Sequence, residues 1–354
     1  MTDKVTEIRA QIDAIDDEIN VLLARRAACG IAMKAAKGGK NIYRPAREQQ
    51  IIKRVLAGHR GVLPQAVVRA IFTEIIASVR NLEESLTVAC LGPAGSYSHE
   101  AARRYFGSTS QIMPVESLAE VVRAVEAGNA KAGLLPIENS TEGSVAETHK
   151  LLAATNLKII GETTLTVRHC LLSKATQLKN VKRVYSHPQA LGQCRQWLQR
   201  HLPHADLVSQ PSTSRGVELA AQDPTAAAIA GEQAAELSGM PLLARGINDE
   251  PDNQTRFIAL AHMAVEPTGD DKTSILCTVR DKPGALHELL GVLAERGITL
   301  TRLESQPSGN DSYMFYIDFL GHQADSTVAD ALKALQLLTK TCKILGSYPK
   351  GITL

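Results

Sequence analysis

A chain of 354 residues is too long for one ordinary hydrophobic core, so two or three domains are expected. Lys and Arg number 39 against 37 Asp and Glu, a balance that excludes the global basic field of a nucleic-acid or membrane-surface protein. No apolar run reaches the roughly 18 residues of a membrane helix, and no signal-peptide stretch follows Met1–Lys4. Six cysteines (29, 90, 170, 194, 277, 342) lie scattered without a Cys-x-x-Cys, so reduced thiols, no metal site and a cytoplasmic compartment are expected.

Residues 3 to about 86 read as helix only. Val5, Ile8, Ile12, Ile15, Ile19 and Leu22 recur at steps of three and four, the narrow apolar stripe of one long helix. It reaches about Lys37 and stops at Gly38-Gly39. A second helix follows Arg44-Pro45, with Ile51, Ile52, Val55 and Leu56 as its apolar face. A third begins at Pro64 and carries Val68, Ile71, Phe72, Ile75, Ile76 and Val79. Three helices with one very long arm bury little alone, so association with a second copy is expected.

From Thr87 short apolar runs alternate with helical stretches, at 88–91, 132–137, 158–167, 181–185, 226–230 and 256–261, an α/β pattern. The polar stretch 266–272 reads as a linker. Beyond it the order is strand 273–280, helix 285–296, strand 298–306, strand 312–320, helix 325–340 and strand 342–348, which is ferredoxin-like α+β.

Between Arg25 and Arg60 stand ten Lys and Arg and a single acid, Glu48. A solvated basic face would explain a charge run, but two positions argue otherwise. Arg26 continues the apolar stripe after Leu22, and Lys37, eleven residues on, shares its face. Cations on such a stripe are costly unless an anion occupies the site. Glu83 likewise continues the line Phe72, Ile76, Val79, with an exposed, frayed helix end as the alternative.

Arg9, Arg26, Lys37 and the run Arg44-Pro-Ala-Arg47-Glu48 resemble the all-helical chorismate mutases, over the whole first segment. The resemblance implies that Arg9 and Arg26 grip the carboxylates of chorismate, that Glu48 accepts from its ring hydroxyl, and that Lys37 and Glu83 face the ether oxygen of the breaking bond. Arg44 stands where some relatives carry an acid, and Val79 where some carry Ser; both are included as substrate-binding positions. The chemistry suits these residue types, because a Claisen rearrangement needs no nucleophile or metal, only a held conformer and donors toward the ether oxygen. Arg9 and Arg26 are 17 residues apart, about 25 Å along a helix and roughly 100° around it. One small dicarboxylate cannot reach both on a single copy, so Arg9 is expected to serve a partner chain's site.

In the α/β segment, polar clusters follow apolar strands: Gly92–Ser98 with Ser96, Glu138-Asn139-Ser140-Thr141, Ser186-His187-Pro188-Gln189, and Ser212-Thr213-Ser214. Each precedes a helical stretch. Any one of them reads as an N-cap; four together favour an anion cleft at strand ends and helix N-termini. With Thr255-Arg256-Phe257 they resemble prephenate dehydratase, over the full second segment. The resemblance implies a two-lobed α/β fold like periplasmic binding proteins, and a reaction that takes prephenate to phenylpyruvate. It makes Thr255 essential, and Ser96, Glu138, Asn139, Ser140, Ser186, His187, Gln189, Ser212 and Thr213 substrate-binding; Arg256 is expected to be a carboxylate partner or, equally, a structural cation.

Gly284-Ala285-Leu286 and Glu304-Ser305-Gln306-Pro307 resemble the phenylalanine-binding elements of an ACT domain, with Gln306 where the family usually has Arg. A pairing domain that binds nothing is the plainer alternative.

The expected architecture is multidomain: an all-α mutase domain (1–86), a two-lobed α/β dehydratase domain (87–265) and a ferredoxin-like α+β ACT domain (272–354). The expected protein is a bifunctional enzyme of phenylalanine synthesis acting on chorismate and prephenate, with phenylalanine as effector, no cofactor, and no nucleic-acid or membrane partner. A homodimer or higher even-numbered oligomer is expected. Two rivals stay open: a dehydratase acting on prephenate or arogenate with a silent helical assembly domain, and a non-catalytic amino-acid sensor.

Overall fold

The computed structural model describes residues 2–36, 43–280, 283–307 and 312–353. Lys37, singled out above, lies outside them. Among the described residues no helix is long and apolar enough to cross a membrane.

Helices α1 (Thr2–Ala36), α2 (Pro45–Gly58) and α3 (Gln65–Glu83) form one compact unit together with residues 106–111. Pro45 opens α2 at its first turn, where its missing N–H costs no hydrogen bond. Ala46 and Ile52 of α2 and Val68, Ile76 and Ala77 of α3 are buried. The α1 stripe is not: Val5, Ile8, Ile12, Ile15, Ile19 and Leu22 each stay 47–57% exposed. Gly30 lets α1 approach α3 closely, since a Cβ there would fall 2.3 Å from Val79 Cγ1.

Residues 87–105 and 112–354 form the second unit. Its chain runs β1 (Thr87–Leu91), α4 (Tyr97–Phe106), β2 (Gln111–Val115), α5 (Leu118–Glu126), β3 (Ala132–Asn139), β4 (Gly143–Ser144), α6 (Ala146–Ala154) and β5 (Lys158–Thr166). It crosses to β6 (Cys170–Ser173), β7 (Arg183–Ser186), α7 (Pro188–Gln193), α8 (Arg195–His201), β8 (Asp206–Ser209), α9 (Thr213–Ala220), β9 (Ala226–Ala230), α10 (Glu232–Ser238) and β10 (Leu242–Ala244). It then returns through β11 (Gln254–Ala261) to β12 (Asp271–Arg280), α11 (Ala285–Ala294), β13 (Leu300–Pro307), β14 (Ser312–Leu320), α12 (Ser326–Leu338), β15 (Thr341–Pro349) and β16 (Ile352–Thr353).

Three sheets result, with orders β16-β5-β11-β3-β1-β2 (β4 on β3), β10-β6-β9-β7-β8 and β13-β14-β12-β15. The first two are the lobes of the α/β fold. The two crossing segments are laced together by Val167 N–H to Asn253 O (2.8 Å) and Ile247 N–H to His169 O (2.9 Å). The third sheet is antiparallel and ferredoxin-like. The sequence pattern does not mark β2, because Pro114 interrupts it. That strand lies at the sheet edge, where Pro is tolerated.

The third sheet is buried on both faces. Ile275, Cys277, Phe315, Ile317 and Phe319 pack under α11 and α12 with Leu289 and Leu332. Leu276, Tyr316, Leu345 and Tyr348 on its other face join the core of Leu135, Ile137, Ile159, Ile258 and Leu260 from the first lobe. Double burial explains why Ile275, Leu276 and Cys277 of β12 are apolar on successive positions.

Where these faces meet, Arg256 Nε donates to Glu162 Oε2 (2.8 Å) and its Nη2 to Asp318 Oδ2 (2.6 Å). Lys272 Nζ lies 2.6 Å from Glu162 Oε1, and Ser274 donates to Asp318 Oδ1 at 2.5 Å. Burial works to raise the Glu162 carboxyl, but Arg256 and Lys272 outweigh it and hold it below its usual range. Removing one partner of such a buried pair strands a charge. Asp318→Ala should therefore destabilise the chain by about 3 kcal/mol, whereas Glu218→Ala, which breaks an exposed pair with Arg215, should cost within about 0.5 kcal/mol. Thermal unfolding of the two variants checks this; equal losses would contradict it.

Candidate functional site

The helical unit holds a cavity of about 330 Å³ lined by Arg26, Arg44, Arg47, Glu48, Val79, Arg80 and Glu83, with Gly30 and Met33 on its α1 wall. Four guanidiniums face two carboxylates, so the lining suits a dianion. Arg26 donates to Ile75 O (3.2 Å). Arg80, absent from the sequence reading, is 5% exposed and donates to both Glu48 oxygens (2.8 and 2.9 Å) and to Ser110 Oγ (2.8 Å). Burial raises the Glu48 carboxyl against the pull of Arg80. Glu83 Oε2 is buried with no hydrogen-bond partner. Arg80 was legible: it lies four residues beyond Ile76, the same test that singled out Arg26.

The structure brings Arg26, Arg44, Glu48, Val79 and Glu83 together. Arg9, exposed and 17 residues from Arg26 along α1, does not line the cavity. Glu48 is already engaged by Arg80, so its capacity toward a substrate hydroxyl is the lone-pair remainder of a bidentate pair.

Between the lobes of the second unit lies a cleft of about 500 Å³. Ser96, Asn139, His187, Gln189, Ser212, Thr213 and Thr255 line it. Much of the capping reading holds: Ser96 Oγ accepts from His99 N (3.3 Å), His187 Nδ1 from Gln189 N (3.3 Å) and Ser212 Oγ from Arg215 N (3.0 Å). These caps start α4, α7 and α9 at the cleft wall, so first-turn N–H groups border it.

Four expected residues are elsewhere. Arg256 pairs with Glu138 across β11 and β3, and both point to the back of the sheet, opposite Thr255 and Asn139. The cause is the two-residue period of a strand. Arg256 is taken by Glu162 and Asp318, and Glu138 is ion-paired with Arg302. Ser186 is fully buried, donating to Ile229 O (2.7 Å), and Ser140 accepts from Gln254 N (2.9 Å) outside the cleft lining. Arg256 is thus no carboxylate partner here. A bulge at Ile137 and Glu138, opposite the step from Arg256 to Phe257, keeps Pro136 and Asn139 both on the cleft side.

Thr255 Oγ1 accepts from Asn139 Nδ2 (2.9 Å). With that lone pair used, its own O–H is available to the cleft. Asn139 is held in turn: Nδ2 reaches Asn253 Oδ1 (3.0 Å), and Oδ1 accepts from Thr141 Oγ1 (2.6 Å) and Glu142 N (3.2 Å). Asn253 Nδ2 donates to Gln193 Oε1 (3.1 Å), which also contacts His169 Nε2 (2.9 Å). Tyr97 OH lies 2.7 Å from His169 Nδ1. Gln193 Oε1 can only accept, which places the His169 proton on Nε2, and Tyr97 OH also reaches Arg168 O (3.2 Å). Tyr97, His169, Gln193 and Asn253 were not singled out as site residues. They converge only through the double crossing between lobes.

In the ferredoxin-like part, Gly284 has φ +82° and precedes α11, whose start carries no side-chain cap; Ala285 and Leu286 form its first turn. Glu304 and Ser305 lie on β13, Glu304 bonded by Arg302 Nη2 (2.6 Å). Gln306 Nε2 lies 3.5 Å from His149 Nδ1.

Three family models match in order: chorismate mutase type II over residues 8–84, prephenate dehydratase over 88–264 and the ACT domain over 273–336. The bifunctional chorismate mutase/prephenate dehydratase of Pseudomonas aeruginosa is 39% identical over 360 residues, covering 99% of each chain. That of Aquifex aeolicus is 39% identical over 358 residues, again 99% of each. A prephenate dehydratase from Arthrobacter aurescens, solved in complex with L-Phe, matches with TM-score 0.69 at 36% identity, over 75% of this chain and 90% of its own. A cationic helical cavity, a two-lobed cleft and an ACT module on one chain define a two-site enzyme with an attached regulatory-type domain. The chain belongs to the bifunctional chorismate mutase/prephenate dehydratase family.

His149 is buried against Tyr316 (4.7 Å between ring centres), with Nε2 unpartnered. Burial holds its imidazole below the usual 6.5, and Arg302 adds to this. A base depressed in the fold contributes stability above its unfolded value and loses it as pH falls through the folded one. From about pH 7.5 to about pH 5.5 the thermal midpoint should drop, and less so in His149→Phe, which keeps the ring contact without the ionisable group. Identical slopes would remove His149 from the acid response.

Proposed function

We propose that the helical unit rearranges chorismate to prephenate and that the interlobe cleft converts prephenate to phenylpyruvate, with phenylalanine acting at the ACT module. The domain limits that follow are 1–86, 87–265 and 272–354. The observation that carries the reading is Thr255, whose hydroxyl, fixed by Asn139, has its proton free for the cleft.

In the mutase step the substrate is a dianion, and Arg26, Arg44, Arg47 and Arg80 supply the positive lining. Held in its chair-like conformer, chorismate exchanges one C–O bond for one C–C bond, and negative charge grows on the ether oxygen. Glu83, whose Oε2 has no partner among the described residues, faces that oxygen. Lys37 retains its expected role there.

In the dehydratase step the ring carboxylate leaves as carbon dioxide, its bonding electrons enter the ring, and the ring hydroxyl departs as water. Thr255 hydrogen-bonds to the departing oxygen. No Lys or Arg lines the cleft among the described residues, so the carboxylates fall to N–H groups at the starts of α4 and α9. Phenylalanine, a zwitterion, finds N–H groups for its carboxylate at the uncapped start of α11 after Gly284, and Leu286 offers apolar surface for its ring.

The half-exposed α1 stripe supports a homodimer in which Arg9 of one copy completes the mutase cavity of the other. Mixing inactive Arg9→Ala with inactive Arg26→Ala chains should restore part of the mutase activity, because one site of the heterodimer is then intact. Verified heterodimers without activity would refute sharing. Thr255→Ala should lower dehydratase kcat by at least about 100-fold and spare the mutase, while Thr255→Ser retains a substantial fraction. Equal loss in both variants, read by phenylpyruvate absorbance, would assign the position to packing instead.

A further inference from the structure

We propose that Cys277 and Cys342 form a dithiol pair that closes to an intrachain disulfide on exchange with a low-molecular-weight disulfide. The two cysteines face each other in register on β12 and β15. Antiparallel partners have Cα atoms about 4.5 or 5.5 Å apart, inside the range a disulfide spans. Their sulfurs are 3.2 Å apart, with the Cys277 thiol directed at Cys342. Both are free, and closure needs the sulfurs to move from 3.2 Å to the roughly 2.05 Å of a bond.

The pair is asymmetric in the way such chemistry needs. Cys277 is fully buried under α11 and α12, whereas Cys342, second in β15, is part exposed at the end of the sheet. Receiving the Cys277 thiol hydrogen bond, Cys342 is shifted below its usual value despite its partial burial. The same contact together with burial raises Cys277. Cys342 is therefore the attacking sulfur and Cys277 the resolving one. Cys90, Cys170 and Cys194 are buried, and burial alone is the leading cause raising each of them.

With oxidised glutathione as oxidant the step balances. The Cys342 thiolate attacks one glutathione sulfur, that S–S bond breaks, and one glutathione leaves as thiolate and takes up a proton. Cys277 then loses its proton, attacks Cys342 Sγ in the mixed disulfide, and expels the second glutathione. Two protein thiols are oxidised by two electrons, and one small disulfide is reduced to two thiols.

The test uses the full chain in a Cys29→Ser background, which removes the exposed unpaired thiol. After incubation with oxidised glutathione, intact mass should fall by two hydrogens, and non-reducing peptide mapping should link Cys277 to Cys342. Cys277→Ser should stop at a glutathione adduct on Cys342, and Cys342→Ser should leave Cys277 unmodified. A dehydratase rate equal to that of the Cys29→Ser background verifies that each variant is folded. A stable adduct on Cys342 with Cys277 still alkylatable in the parent, or no reaction at either cysteine while Cys29 of the unsubstituted chain is modified, would overturn the proposal.

Discussion

The two-residue period of one strand pair organises the second unit. On β3 and β11, Asn139 and Thr255 point into the cleft, while their neighbours Glu138 and Arg256 point to the opposite face. Because that opposite face is covered by the ACT sheet, the pair is buried on both sides and cannot present a cation to each. Arg256 balances Glu162 and Asp318 on the ACT side, and the cleft is left with hydroxyls, amides and helix N-termini. The cost of an unpaired buried charge fixes this division more firmly than any packing preference.

The same contact places β13 one side chain from β3. Arg302 on β13 is ion-paired at once with Glu304, in the expected effector segment, and with Glu138, the residue before Asn139. Its Nε is buried without a hydrogen-bond partner among the described residues. Arg302 thus links the expected effector segment to Glu138, the neighbour of the Asn139 that bonds Thr255. In the helical unit, Arg80 plays the comparable part of a buried organiser, spanning Glu48 on α2 and Ser110 beyond α3.

The sequence was most readable where a charged residue interrupts an apolar period. Arg26 and Glu83 stand out on their helices, and both line one cavity. Thr255 and Asn139 were reached by resemblance, and the structure joins them directly. Arg256, Glu138 and Ser186 misled because adjacent strand residues point to opposite faces; with both faces buried, polarity alone does not say which one is the cleft. Arg80 lies outside the basic segment 25–60, and the line Phe72, Ile76, Val79 leads to Glu83 instead. Tyr97, His169, Gln193 and Asn253 are dispersed over more than 150 positions, and only the double crossing between lobes gathers them. The ACT segment was legible in full order, yet its burial against the first lobe carried no local signal.

Arg302 joins β13 of the ACT sheet to β3 of the cleft, and phenylalanine at the ACT module is expected to act through that link. Hydrogen–deuterium exchange of the full chain with and without phenylalanine, compared between the parent and Arg302→Met, tests it most directly. The account predicts that phenylalanine alters protection in residues 132–139 and 254–261 of the parent, and that in Arg302→Met the change stays confined to the ACT strands although the ligand still binds. Inhibition of the dehydratase with unchanged protection in both segments, or the same change in the two proteins, would contradict it.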